Sequence, residues 1–226
     1  LVCPSAAPYL DRYGGDYFSF VIIGIAFAGY FGVGLSSFSS KLRQSQVSGT
    51  LESMLTSPTR LSAIIVSSSL WEYLMTTIRV FVYLIIGALI MGATFGQGNF
   101  TSAFVVLLLT IITFSSLGII SASFVMVLKR GDPIAWIFNA VSTFLGGVYY
   151  PISILPEGLQ WLARLIPVTY ALDAMRLALL QGASLSELVP QILALGVFSV
   201  ILLPSSLIAF RFAVQRAKVE GSLTHY

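Results

Sequence analysis

The chain has 226 residues, of which 57% are hydrophobic and only 9% are charged. Because an ordinary soluble domain carries about 25% charged residues, this composition argues against a soluble enzyme, a nucleic-acid-binding module and a disordered chain. It indicates an integral membrane protein. The net charge of +3 suits loops that face anionic lipid and is no sign of a nucleic-acid partner.

The residues that usually carry covalent or metal chemistry are scarce. Cys3 is the single cysteine and His225, next to the C-terminus, is the single histidine, which argues against zinc sites and against Ser/His or Cys/His catalysis. The sequence has no G-x-x-x-x-G-K-[ST] motif, so we expect no P-loop ATP site on this chain. We therefore expect no catalytic, cofactor-binding or metal-binding residues. Because the chain starts at Leu1 rather than Met, we expect further residues before it.

Five apolar stretches, taken in chain order, are predicted to cross a bilayer as helices. They are residues 17–40, a part of 61–95, 102–128, 133–148 and 188–210. A spanning helix takes about 20 residues, and none of the stretches shows the strict alternation of a barrel strand. The fourth is short and needs Tyr149 and Tyr150 to complete it. We therefore predict an all-α membrane bundle that forms a single transmembrane domain over residues 1–226.

The second stretch is too long for a bilayer. Its 35 residues would make a helix of about 52 Å, against a hydrocarbon core of about 30 Å. We predict a helical foot over 61–72 and a span over 73–94. Glu72 and Arg79 share one face, and our preferred interpretation is that each is neutralised at the membrane edge, with Arg79 snorkelling. The alternative is a substrate contact or relay.

Positive charges predict the orientation of the bundle. Eight of the twelve Lys and Arg residues fall in 41–60, 129–133 and 211–226. These segments are therefore predicted to be cytoplasmic, and residues 1–16 and 149–187 to lie outside. Two cytoplasmic termini would require one more helix before Leu1.

Small residues recur at helical spacing in two of the predicted spans. In the first span they are Gly24, Ala28, Gly32, Ser36 and Ser40, and in the third they are Ser115, Gly118 and Ala122. Such a face lets two helices approach closely. Packing within one bundle is favoured over a subunit interface.

The predicted cytoplasmic loop 41–60 is amphipathic. Val47, Leu51, Met54 and Leu55 fall on one helical face, with Gly49 loosening the start of the helix and Pro58 ending it. A short helix of this kind rests on membrane lipid or docks into a groove of a partner. Periodicity alone favours lipid.

The predicted outer segment 149–187 is long but apolar. Breaks in regular helix are expected at Gly146, Gly147, Pro151, Pro156 and Pro167. We expect it to dip into the outer leaflet and to pack on the bundle, because irregular backbone at membrane depth must be covered by protein. Ser184 and Glu187 form a capping-box pattern before the last span.

Asp173 and Arg176 lie three residues apart in this segment, a spacing that predicts a pair on one helix face. One interpretation is a solvated contact at the interface. The other is a partly desolvated pair that holds the outer segment against the bundle.

Two segments resemble the ABC-2 type permease family, the membrane subunits of bacterial ABC exporters. GTLESMLTSP, residues 49–58, resembles the family's loop after its second span. GGVYYPISILPEGLQWLARLIPVTYALDAMR, residues 146–176, resembles its signature between the last two spans. Their order and spacing extend the resemblance over essentially the whole chain.

The resemblance implies six spans, one of them before Leu1, in a bacterial plasma membrane. Loop 41–60 would be a coupling helix docking on a separate ATP-binding subunit, and 149–176 a pair of re-entrant helices. The docking residues would be Val47, Gly49, Thr50, Leu51, Glu52, Met54, Leu55 and Pro58. ATP and magnesium would bind the partner, so this chain would not itself be an enzyme. Two permease chains, identical or different, would pair with two ATPase chains.

The substrate class follows from one stretch of the resemblance. PVTYALDAMR, residues 167–176, resembles the daunorubicin-resistance and nodulation-factor exporters, which implies export of a drug, lipid or glycolipid-like substrate. A polysaccharide-export permease and an ATP-independent secondary transporter or channel remain as alternatives. A structural membrane scaffold is a third class.

Overall fold

A computed structural model describes residues 10–14, 16–50, 61–91, 98–128 and 132–219. All regular secondary structure in these ranges is helical. The α-helices are α1 Tyr17–Val47, α2 Leu61–Met91, α3 Phe100–Leu128, α4 Pro133–Leu145, α5 Glu157–Arg164, α6 Pro167–Leu180 and α7 Val189–Val219, with 3₁₀ turns at Asp11–Tyr13 and Ile152–Ile154. The prediction of an all-helical membrane bundle is thus confirmed for the described part of the chain.

Four of the five predicted spans have the length and apolarity to cross a membrane. Their apolar windows are Tyr17–Ser45, Ser69–Leu89, Phe100–Leu128 and Val189–Arg216. The fourth prediction was wrong for a full span, because α4 has 13 residues, or about 20 Å of helix. Tyr149 and Tyr150 do not extend it, since the chain turns at Gly146 and Gly147 takes a left-handed φ of 75°.

The predicted loop 41–60 begins later than expected, since α1 continues to Val47. Nothing breaks the helix before Gly49, which has the left-handed φ of 70° that commonly ends helices. Just before it, the Ser45 and Ser48 hydroxyls donate to carbonyls four residues back, at 3.0 and 2.8 Å. Residues 51–60 lie outside the described residues.

Helix α3 packs against α1, α6 and α7 at the centre of the bundle. Gly118 lies so close to α1 that an added Cβ would meet the Gly34 carbonyl oxygen at 2.0 Å. On the α7 side, the buried hydroxyls of Thr113 and Ser199 are 2.8 Å apart. The predicted packing role of Gly118 is confirmed, but its partner Gly34 is not one of the five regularly spaced small residues predicted in α1.

Helix α2 lies at the side of the bundle, mainly against α1. Tyr30 of α1 donates to Thr77 at 2.8 Å, and Tyr73 is 2.6 Å from Ser115 of α3. Only 22% of the α2 apolar window is buried. The rest of its surface is available to lipid or to another chain.

Helix α6 is short but buried, with ten of its fourteen residues inside the bundle. It packs against α1, α3 and α7. At its C-terminal end the Ala178 carbonyl accepts the Asn99 backbone N–H at 2.8 Å, which ties α6 to the start of α3. The segment between α4 and α7 therefore packs on the bundle, as the sequence predicted.

Candidate functional site

Arg176 is the most completely buried charged side chain in the described residues, with 3% of its surface exposed. Its guanidinium donates to three backbone carbonyls: Phe20 at 3.2 Å, and Gly147 and Val148 at 2.9 Å each. The guanidinium carbon also lies 3.4 Å from the centroid of the Phe20 ring, a close cation–π contact. Arg176 thus joins α6 to the start of α1 and to the turn after α4.

The glycines around Arg176 make room for these contacts. A Cβ on Gly24 of α1 would lie 2.1 Å from the Val148 carbonyl oxygen and 2.6 Å from Arg176 Nη2. A Cβ on Gly146 would meet Val168 Cγ1 at 2.3 Å. The left-handed turn at Gly147 follows directly and brings two successive carbonyls to Arg176. We define these residues, with Phe20 and Val148, as the Arg176 site.

Local contacts fix α5 against α6. Helix α5 starts after Pro156, and α6 has Pro167 as its first residue. The N–H of a first helical residue has no partner within the helix, so proline costs no hydrogen bond at this position. Thr169 donates to the Ala163 carbonyl at 2.6 Å, and the Tyr170 hydroxyl donates to the Arg164 carbonyl at 2.9 Å. The predicted breaks at Pro156 and Pro167 are confirmed as the points where these helices begin, and Pro151 precedes the 3₁₀ turn Ile152–Ile154.

The predicted pair between Asp173 and Arg176 was wrong as a direct contact. Asp173 Oδ2 lies 3.2 Å from Arg12, and Oδ1 accepts the Tyr13 hydroxyl at 2.6 Å. Gln191 of α7 donates to Oδ2 at 2.8 Å. Helical spacing places the two residues near each other, but tertiary packing supplies each with other partners. Burial, and next the Asp173 carboxylate, raise the pKa of Tyr13 well above its ordinary value, so the phenol stays neutral and donates.

At the opposite end of the bundle, α1 and α2 are joined by an ion pair. Lys41 Nζ lies 3.5 Å from Glu72 Oε1, both partly exposed. Glu72 therefore has the neutralising neighbour that the sequence predicted.

Of the predicted docking residues, Val47 is 71% exposed, and Gly49 and Thr50 follow in a turn. The other predicted docking residues, Leu51, Glu52, Met54, Leu55 and Pro58, lie outside the described residues.

Arg79 lies within the apolar window of α2 that the structure describes. Ten residues, or about 15 Å of helix, separate it from each end of Ser69–Leu89. The side chain is exposed. The expected span ran over 73–94, whose last residues lie outside the described ones, so the edge position of Arg79 stays a prediction.

The described residues hold no group of three or more His, Cys, Asp or Glu side chains arranged to bind a metal ion. The arrangement at the Arg176 site has a structural role, because the guanidinium donates to backbone carbonyls of α1 and of the turn after α4 and so joins both to α6. The sequence pointed to Arg176 but not to Phe20, Val148 or Gly24. The small-residue spacing of α1 was the one signal that included Gly24.

Comparison with protein families places these features in a known group. Residues 7–180, well over half of the chain, match the family described as ABC-2 type transporter. The matched region includes the first six helices and the whole Arg176 site. No curated protein matches the chain. The chain therefore belongs to the ABC-2 type transporter family.

Proposed function

We propose that this chain is the transmembrane subunit of an ABC exporter that moves a drug, lipid or glycolipid-like substrate out across a bacterial plasma membrane. The observation that carries the proposal is the family match over residues 7–180. Membership implies the membrane component of an ABC transporter together with an ATP-binding partner subunit. Direction, substrate class and coupling are the parts that we propose.

Helix α1 supports a mechanical link between the two ends of the bundle. It is one continuous helix of 31 residues, or about 46 Å. Near one end Phe20 and Gly24 contact Arg176, and at the other end the helix stops at Val47, inside the predicted loop 41–60. ATP-driven closure of the partner would push on this loop and on the start of α2. The bundle would then shift between inward-open and outward-open populations.

We assign α5 and α6 as the re-entrant pair of the family. Both are too short to span a bilayer, and α6 is nevertheless buried in the bundle. The Arg176 site would make α6 move together with α1. On this basis Gly146, Gly147, Pro151, Pro156, Pro167, Asp173 and Arg176 support the re-entrant segment.

The assembly would contain two permease chains, identical or different, and two ATPase chains that bind ATP and magnesium. This chain would bind neither and would not itself be an enzyme. A polysaccharide-export permease is the alternative within the family. An ATP-independent transporter is the alternative outside it.

Glu52 provides a test of coupling, because it is acidic beside the apolar stripe of an otherwise basic loop. We expect Glu52→Arg to uncouple ATP hydrolysis from transport while the amount of folded protein stays close to that of wild type. The assay compares ATPase rate and ATP-dependent uptake of daunorubicin, as a drug probe, in inverted vesicles containing the chain and its copurified ATPase.

Glu157→Arg, the same substitution at the opposite end of the bundle, is the matched control and should keep coupling intact. Wild-type rates in Glu52→Arg would contradict the docking role of this residue. Probe movement by the purified chain without ATP, or no P-loop protein copurifying with it, would favour the ATP-independent alternative.

A further inference from the structure

We propose that a cavity at the α5–α6 end of the bundle binds a small anionic group that also carries a hydroxyl or amine donor. The cavity has a volume of about 460 Å³ and lies between the Asp11–Tyr13 turn, α5, α6 and α7. Its size is that of ordinary ligand pockets, which measure about 300–1,000 Å³. Binding at this position does not depend on the proposed transport function.

Charge is the first argument for an anion. The charged side chains that line the cavity are Arg12, Arg164 and Asp173. Asp173 is neutralised by Arg12 at 3.2 Å, which leaves the Arg164 charge in excess. Arg164 is exposed, and its guanidinium makes no hydrogen bond or ion pair with the described residues. A guanidinium presents donors in the geometry that a phosphate or carboxylate accepts.

Gln191 is the second and independent argument. It lines the cavity but is only 8% exposed. Its Nε2 donates to Asp173 at 2.8 Å, whereas its buried Oε1 has no partner among the described residues. A buried acceptor without a donor is costly and uncommon in folded proteins. A hydroxyl or amine group of a bound ligand would supply the missing donor.

Apart from the exposed Ser153 hydroxyl, the other polar side chains that line the cavity already have partners. Gln160 donates to the Leu155 carbonyl at 2.8 Å, and Thr169 and Tyr170 donate to carbonyls of α5. Tyr13 donates to Asp173. Recognition therefore rests on Arg164 for the anion and on Gln191 for the donor. A phosphate beside a hydroxyl, as in a glycerol-phosphate headgroup, has this chemistry, either as a free molecule or on a membrane lipid.

The test uses the purified full chain in detergent with two probes. Glycerol 1-phosphate supplies the free headgroup, and phosphatidylglycerol supplies the same headgroup on a lipid. Glycerol and phosphatidylcholine are the matched controls that lack the net negative charge. Binding is measured by thermal unfolding for the soluble probes and by native mass spectrometry for the lipids.

We expect at least one charged probe to bind in preference to its control. Arg164→Gln should weaken that binding about tenfold or more, since it removes a charged hydrogen-bonding partner. Because Arg164 is exposed, this variant should fold normally. Gln191→Leu should weaken binding as well, and Arg211→Gln, which removes an exposed arginine outside the cavity, should leave it unchanged.

The two probes separate the possible sources of the ligand. Binding of both would mean that the headgroup alone suffices, and binding of phosphatidylglycerol alone would assign the site to a membrane lipid. Binding of neither charged probe over its control would overturn the proposal. Equal affinity in wild type and Arg164→Gln would overturn it as well.

Discussion

Helices α6 and α2 show opposite relations between length and burial. Helix α6 has 14 residues, too few to cross a bilayer, yet ten are buried. Helix α2 has 31 residues, yet only 22% of its apolar window is buried. Both sequences are mainly apolar, and each carries one acidic residue and one arginine. Hydropathy therefore identifies segments that leave water, but neighbouring helices decide whether such a segment is covered by protein.

The two arginines on these helices differ in burial in the same way as the helices do. Arg176 of α6 is 3% exposed and donates to three carbonyls of the chain. Arg79 of α2 lies exposed at the middle of an apolar window. A charge at membrane depth must be compensated. For Arg176 the fold itself supplies the compensation, so its removal should affect folding, whereas removal of Arg79 should not.

The largest effect is expected for Arg176→Ala. The substitution leaves the buried carbonyls of Phe20, Gly147 and Val148 without their donor, and each buried acceptor left unsatisfied costs about 1–3 kcal/mol. We expect a large fall in Tm and in the yield of monodisperse protein. Thermal unfolding and size-exclusion chromatography in detergent measure both.

One further variant shows whether geometry or charge matters at position 176, and a second serves as the control. Arg176→Lys keeps the charge but lacks the planar fork of donors, so its Tm should fall between those of Arg176→Ala and wild type. Arg211→Ala removes an exposed arginine from α7 and should leave Tm unchanged. A wild-type Tm for Arg176→Ala would refute the structural role of the Arg176 site.

A smaller difference in Tm is expected between alanine substitutions at two glycines, Gly24 of α1 and Gly87 of α2. In Gly24→Ala the new Cβ would meet the Val148 carbonyl at 2.1 Å, a backbone atom that moves only with the turn. In Gly87→Ala it would meet the end of the Ile22 side chain at 2.8 Å, which can rotate away. Overpacking of a tight contact costs about 1–3 kcal/mol. Gly24→Ala should therefore lower Tm clearly more than Gly87→Ala.

Gly196→Ala is the control for this pair, since a Cβ there has open space around it. It should leave Tm unchanged or raise it slightly, because alanine favours the helix. Equal losses in Tm for Gly24→Ala and Gly87→Ala would mean that the turn after α4 is easily displaced. The tight fit of the Arg176 site would then be no source of stability.

Much of the fold follows from the sequence, because apolar runs of spanning length have few alternatives in a membrane. The four long helices were predicted for this reason, and the breaks at Pro156 and Pro167 were predicted because proline interrupts a helix. The ends were harder to predict. Helix α1 continues past Lys41 to Val47, since charged residues do not end a helix and only Gly49 does.

The candidate site was predicted less well, because its contacts are long-range. The spacing of Asp173 and Arg176 indicated a local pair, but Asp173 instead contacts Arg12 and Gln191 of α7. Carbonyl acceptors such as those of Gly147 and Val148 have no sequence signature. They become available only where the chain turns, so that the role of Arg176 depends on tertiary structure.

The smallest effect on stability is expected for Arg79→Leu. Because Arg79 is exposed, its replacement should change the free energy of unfolding in detergent by no more than about 0.5 kcal/mol. Insertion of α2 should become easier, since an arginine at the centre of a spanning helix costs about 2.5–3.5 kcal/mol on insertion scales and leucine is favourable. A glycosylation-reporter assay on the isolated helix measures this difference.

Transport measurements show what Arg79 contributes to the assembled transporter. A residue that impedes insertion and adds nothing to folding would be retained for a contact made only in the assembled transporter, with the substrate or with a second permease chain. Arg79→Leu should then reduce ATP-dependent uptake while yield and Tm stay at wild-type values, and Arg79→Lys, which keeps the charge, should restore part of it. A fall in Tm as large as that of Arg176→Ala would show instead that Arg79 is held inside the fold, and the contrast between the two helices would fail.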